Sequence, residues 1–258
     1  MKKKNLVNIK NEQISKYNQM KNLGNIILNF PVYKYILVGL LLTILIYLFN
    51  QYKHKKKNNS CILFTMYNEP SRRKLYTDVI KWWKRNTDLD IYIVNSYGDN
   101  SLDNLDVNIV SFDQSEIAPS HFSTSTDYEI FSIQYAIDNI KELSNYDYVF
   151  KITGKYRLPG ATDILSNISP GYQIILQNNP ETDKEMIKNN HNNTEIMAFN
   201  GKNIKKIINI LEKEESILEH RIVKYIKKNK IKYHRLPTLN IPEEFRVKRG
   251  DGLILEKL

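Results

Sequence analysis

From residue 60 onward, short apolar runs alternate with stretches of helical spacing, and this alternation leaves few folds open. "CILFTMY" (61–67), "DIYIVNS" (90–96), "VNIVSFD" (107–113) and "YVFKIT" (148–153) read as strands, as do "YQIILQ" (172–177) and "EIMAFN" (195–200). Short apolar runs bounded by turn residues suit buried strands. Between the first two lies "PSRRKLYTDVIKWWKRN" (70–86), with Leu75, Val79, Ile80 and Trp83 on one side of a helix and Pro70 in its first turn. "TDYEIFSIQYAIDNIKEL" (126–143) gathers Ile130, Ile133, Ile137 and Ile140, and a long amphipathic helix is predicted over 203–228. Strands separated by helices predict an α/β domain with a mostly parallel sheet, flanking helices and right-handed crossovers.

Ahead of this domain, residues 30–49, "FPVYKYILVGLLLTILIYLF", hold one charge, Lys34. A helix of that length rises about 30 Å, the thickness of a bilayer's hydrocarbon. Lys34 can snorkel to the interface, and Tyr33, Tyr35 and Tyr47 suit the aromatic belts. A buried core helix would show a polar face, and a signal peptide would start nearer residue 1. The reading is a single transmembrane helix over 30–49, after a polar basic tail (1–29) and before a basic stalk (50–59) and the α/β domain (60–258). Lysines flank the run on both sides, so the positive-inside rule is nearly balanced.

Charge is unevenly placed. Residues 1–59 hold eleven Lys and one Glu, and the remaining 27 Lys+Arg and 27 Asp+Glu cancel over 60–258. A nucleic-acid-binding domain carries its basic patch on the folded part, so no nucleic-acid partner is expected. The single cysteine, Cys61, excludes an intramolecular disulfide and reads as a small apolar core residue.

In an open α/β sheet, ligands bind at the carboxyl ends of the strands. That places Tyr67, Asn68 and Glu69 after the first strand, Asn95 and Ser96 after the second, and a polar loop, 113–125, after the third. No G-x-G-x-x-G follows a strand, and neither a P-loop nor a G-x-S-x-G elbow is present. The five histidines are scattered without metal-ligand spacing.

The fourth strand ends unusually, in "YDYVFKITGKYRLPG" (146–160). Lys151, Lys155 and Arg157 stand there with Thr153 and Gly154. A buried lysine needs a partner or a path to solvent, and at a strand's carboxyl end it can meet an anion in the crevice. Thr153 adds a hydroxyl, and Gly154 lets a backbone N–H approach closely. The set suits a diphosphate. The competing reading is a surface strand end whose cations pair with Asp147 or Asp163.

"ILFTMYNEP", "IYIVNSYG" and "YDYVFKITGKY" together resemble the catalytic domain of glycosyltransferases with a GT-A/Rossmann-like, nucleotide-diphospho-sugar-binding fold. K-I-T-G-[RK]-Y resembles a motif of glycosyltransferase-like proteins of bacteria and large DNA viruses. The resemblance spans about 60–240 and implies transfer of a sugar from a nucleotide-sugar donor to a glycan, protein or lipid acceptor. A tail, one span, a stalk and a catalytic domain also resemble Golgi-type enzymes, which implies a cytoplasmic N-terminus and a lumenal domain.

Metal-dependent members of that family carry D-x-D at the end of this strand, where "TGK" stands here. Asp88-Leu89-Asp90 precedes the second strand, at the wrong edge. The expectation is a donor site without metal or other cofactor, with Lys151, Lys155 and Arg157 supplying the positive charge. Inverting transfer needs a base. Glu129 falls on the side of Ile133, Ala136 and Ile140 and admits two readings, a base or the closing member of a Thr126-x-x-Glu129 capping box. Asp127 is a second catalytic candidate, with a helix-dipole role competing. Glu195 and Glu219 are further candidates. A catalytically inactive, membrane-tethered binding or scaffold domain on the same fold remains the alternative.

Overall fold

The computed structural model describes residues 18–21, 31–53, 59–177 and 194–247. The chain divides into two compact units, Met1–Lys56 and Lys57–Leu258. In the first, helix α1 runs over Pro31–Lys53. Its described side chains, 34–45, are all exposed, apolar Ile36, Leu40 and Leu45 among them. Among the described residues, no helix is long and apolar enough to cross a membrane. The span expected over 30–49 lies partly outside the described residues, as do most of the tail, the middle of the stalk and the C-terminal "GDGLILEKL".

In the second unit the described residues form one seven-stranded sheet, ordered β3-β2-β1-β4-β6-β5-β7. β1 is Ser60–Met66, β2 Asp90–Asn95, β3 Asn108–Ser111 and β4 Tyr148–Thr153. β5 is Ile174–Leu176, β6 Ile196–Phe199 and β7 Tyr233–Arg235. β1 pairs parallel with both β2 and β4, β2 with β3, and β5 with β7. β6 runs antiparallel to β4 and β5. The mostly parallel α/β sheet expected from the sequence is therefore present.

Helices cover both faces. Against one lie α2 (Arg73–Asn86) and α5 (Ala161–Ser166), with Ile62, Phe64 and Phe150 of the sheet meeting Val79, Ile80 and Trp83. Trp83 is fully buried, its indole N–H donating to Tyr156 O at 2.9 Å and its ring edge-on to Phe64. Burial of such a ring is worth about 4–6 kcal/mol by area. Against the other face lie α4 (Ser125–Asn139), α6 (Ile204–Glu212) and α7 (Leu218–Asn229), with Ile133, Ile208 and Ile222 packed on Leu63 and Val149. A short helix, α3 (Gln114–Ile117), follows β3.

The single helix expected over 203–228 is two helices. Arg221, 4% exposed, reaches back from α7 and donates to Leu211 O at the end of α6 and to Ser216 O in the turn. Leu211 O also accepts from Glu214 N at 3.3 Å in the turn that ends α6, and the guanidinium adds a second donor there while meeting Ser216 O beyond it. The helix expected from 70 begins at Arg73, so Pro70 lies in the preceding turn. The capping box sits two residues earlier than expected. Thr124 and Asp127 form it, and Glu129 lies inside the helix.

Candidate active site

The chain runs from β1 outward through β2 to β3, then returns to β4 on the other side of β1. The crevice at the carboxyl ends of β1 and β4 is thus the point where strand order reverses, the usual ligand site of open α/β sheets. A cavity of about 330 Å³ opens there. Thr65 and Thr153, register partners across β1 and β4, stand in its wall with Tyr67, Ser96 and Gln114.

Strand alternation explains the polar floor. On the face covered by α4, β1 presents Cys61, Leu63 and Thr65, and β4 presents Val149, Lys151 and Thr153. Each column grows more polar toward the crevice. Lys151 lies in register between Leu63 and Met197 and is 1% exposed. Its Nζ donates to Thr194 O at 2.6 Å and to Thr153 Oγ1 at 3.3 Å, and is ion-paired with Glu129. An ammonium has three N–H donors, and three protein acceptors meet them.

Glu129 comes from the second turn of α4, on the stripe that buries Ile133 and Ala136. Its carboxylate, a quarter exposed, lines the cavity with Ser125, Tyr128 and Ser132. The start of α7 clamps the first turn, just before it. Leu218 N donates to Thr126 Oγ1 at 3.1 Å, and Arg221 Nη2 to Asp127 Oδ1 at 2.9 Å. Burial pushes the Asp127 carboxyl up, but hydrogen bonds from Thr124 and Arg221 outweigh it and hold it below the usual carboxylate range. Asp127 lines a different cavity, between the loop before α4 and the α6–α7 turn.

Asn68 and Asn95 are fully buried and do not line the cavity. Asn68 Nδ2 donates to Asp99 Oδ1 and Ser101 Oγ, and Asn95 Nδ2 to the Asp99 carbonyl. Asn95 Oδ1 accepts from Tyr97 N, and the Tyr97 ring lies edge-on to Tyr67 at 5.2 Å. The two amides thus hold the loops that carry Tyr67 and Ser96. Burial pushes the Asp99 carboxyl up, and hydrogen bonds from Asn68, Ser101 and Asn95, with Arg73 beside it, hold it lower than usual.

The three cations grouped by the sequence go separate ways. Lys151 pairs inward with Glu129; it neither meets Asp147 or Asp163, the partners of the competing reading, nor stays open for a diphosphate. Lys155 lies over the Tyr156 ring, and the Arg157 guanidinium lies 5.3 Å over Phe245. Gly154 is needed for packing, since a Cβ there would lie 2.6 Å from Met66 Cγ and Cε. Glu69 is paired with Arg72 at 2.8 Å.

From sequence, Arg72 and Arg73 are only secondary candidates to assist the loop after the first strand, but Arg72 lines the cavity from the turn before α2. Its position at a helix start made a solvated role the ordinary reading. Burial draws the Arg72 guanidinium down, while a hydrogen bond with Tyr76 and the nearby Glu69 more than offset this and raise it. Thr65, Gln114 and Ser132 also belong to the wall and carried no sequence signal.

At the carboxyl end of β4, where a metal-binding pair of carboxylates would stand, are Thr153, Gly154 and Lys155. Asp90 opens β2 at the opposite edge and accepts from Tyr146 Oη. Among the described residues, no group of three or more His, Cys, Asp or Glu is placed to hold a metal ion. The described residues do not fit such an ion.

No protein-family model matches the chain. No curated protein matches it. Solved structures similar to it include a protein assigned as a nucleotide-diphospho-sugar transferase from Desulfovibrio desulfuricans G20, at 14% identity and a TM-score of 0.44, covering 70% of this chain and 80% of that one. The glycosyltransferase GlyE of Streptococcus pneumoniae TIGR4, in its apo form, is 16% identical with a TM-score of 0.45, covering 70% of this chain and 46% of that one. The mannosyltransferase PcManGT of Pyrobaculum calidifontis, solved with GDP-Man and Mn²⁺, is 11% identical with a TM-score of 0.46, covering 71% of this chain and 56% of that one.

Proposed function

We propose that the chain is a membrane-anchored glycosyltransferase that moves a sugar from a nucleotide-sugar to a glycan, protein or lipid acceptor without a bound metal. The observation that carries this reading is the crevice between β1 and β4, with one carboxylate, Glu129, in a wall of hydroxyls. Hydroxyl-rich walls suit a polyol and a ribose. In the inverting form of the reaction, Glu129 takes the proton from an acceptor hydroxyl. The oxygen attacks the anomeric carbon, the bond from that carbon to the diphosphate breaks, and the nucleoside diphosphate leaves. Tyr67, Ser96 and Thr153 contact the donor, and Lys151 acts through Glu129. The apolar run 30–49 anchors the chain, with the tail cytoplasmic and the domain lumenal.

A second reading, a tethered binding domain without turnover, draws on the closure of the Lys151–Glu129 pair. Both charges are met inside the protein, as in a purely structural pair.

The test is thermal unfolding of the full-length protein with UDP-, GDP- and CMP-sugars, each with and without chelator. Binding to the native state alone raises the unfolding temperature. A shift with one nucleotide class that survives chelation supports the proposal, and turnover of that donor separates it from the second reading. A shift abolished by chelator overturns the metal-free claim. Absence of any shift overturns the donor site.

A further inference from the structure

We propose that Arg72 is the anion-binding group of this cavity and takes the diphosphate of the donor, an inference that rests on the nucleotide-sugar reading. The cations expected to do this are engaged elsewhere. Lys151 has three N–H donors and three protein acceptors, so it has none left for a phosphate. Arg157 lies over Phe245, and Lys155 over Tyr156. Among the described residues, Arg72 is the one cation in the cavity wall.

Its geometry suits the task. A guanidinium offers five N–H donors in a planar fork that matches phosphate oxygens. Glu69 meets it at Nε, 2.8 Å away, and Tyr76 supports it from the first turn of α2. The Arg72 side chain is 51% exposed and that of Glu69 33%. An ion pair this open is weak and exchangeable. A phosphate entering the cavity can therefore take the fork while Glu69 turns to solvent. Glu129, the carboxylate in the wall, does not repel the anion at full strength, because Lys151 lies against it.

Glu69 thus acts as an internal stand-in for the anion, and the two substitutions have opposite signs. Calorimetric titration of the full-length protein would use three kinds of probe: nucleosides, nucleoside diphosphates and inorganic pyrophosphate. Arg72→Gln should weaken the diphosphate by about ten- to a hundredfold and leave the parent nucleoside unchanged. Glu69→Gln should tighten the diphosphate. Both positions are open enough to solvent that the fold should tolerate them, which unfolding curves of the two variants check.

Undiminished diphosphate binding by Arg72→Gln overturns the proposal while leaving the nucleotide-sugar reading intact. So does an equal loss for nucleoside and diphosphate. Pyrophosphate bound through Arg72 without any nucleotide would keep the anion site and overturn the nucleotide-sugar reading. Failure of the unaltered protein to bind any of the three probes overturns both.

Discussion

The ammonium of Lys151 lies against the carboxylate of Glu129, the first side chain sealed in the core and the second a quarter exposed to the cavity. This pair joins the fourth strand to the second turn of α4, where the apolar face of the sheet turns polar toward the crevice. The cost of breaking it depends on which partner goes. Glu129→Ala leaves a buried ammonium without its counter-charge and should cost about 3–5 kcal/mol, toward the lower end because water reaches the site. Combining Glu129→Gln with Lys151→Met removes both charges and should cost less than Glu129→Ala alone. Urea unfolding of the variants measures it. Additive losses in a double-mutant cycle would mean that the two groups are not coupled.

A second link, Asp127 to Arg221, makes stability depend on pH. The folded Asp127 carboxyl titrates below the ordinary carboxylate value, because the hydrogen bonds from Thr124 and Arg221 outweigh burial. A depressed folded value contributes stability above the unfolded value of about 3.9, and that contribution is lost as pH falls through the folded value. Asp127→Asn should therefore be less stable than the unaltered chain at neutral pH, with the gap closing below about pH 4. A gap that stays constant on acidification would refute the assignment.

Two glycines rank by what a methyl group would strike. At Gly154 it meets the Met66 side chain, which can shift at the cost of disturbing the cavity floor. At Gly201 it meets the carbonyl oxygens of Tyr146 and Leu143, which cannot yield without moving backbone. Gly154→Ala should cost about 1–3 kcal/mol and Gly201→Ala more. The order of the two unfolding midpoints decides the point.

Six strands were legible because each is a dense apolar run, and the crevice followed from topology alone. β7 was not, since Tyr233, His234 and Arg235 form an edge strand of polar character. The break near 213–217, "KEESI", contains no Gly or Pro, and only Arg221 folding back from α7 reveals why the chain turns there. Thr124-x-x-Asp127 and Thr126-x-x-Glu129 fit a capping box equally well on paper, and only where the chain enters α4 decides between them. The partner of Lys151 lies 22 residues away on another element, a distance that no local pattern spans.

The role of Glu129 in turnover is separable from its role in the fold. Glu129→Gln keeps the shape of the side chain and removes the charge that accepts a proton. Once a donor is identified, this change should lower kcat by about 10²- to 10⁴-fold, the usual contribution of a positioned base. Donor affinity should move much less, because the anion is held from the opposite side of the cavity by Arg72. Lys151→Met combined with Glu129→Gln controls for the unpaired ammonium. If Glu129 is the base, this double variant stays as inactive as Glu129→Gln while regaining stability. If Glu129 is only a structural counter-ion for Lys151, activity returns with stability in the double variant, and the base must be sought elsewhere in the crevice.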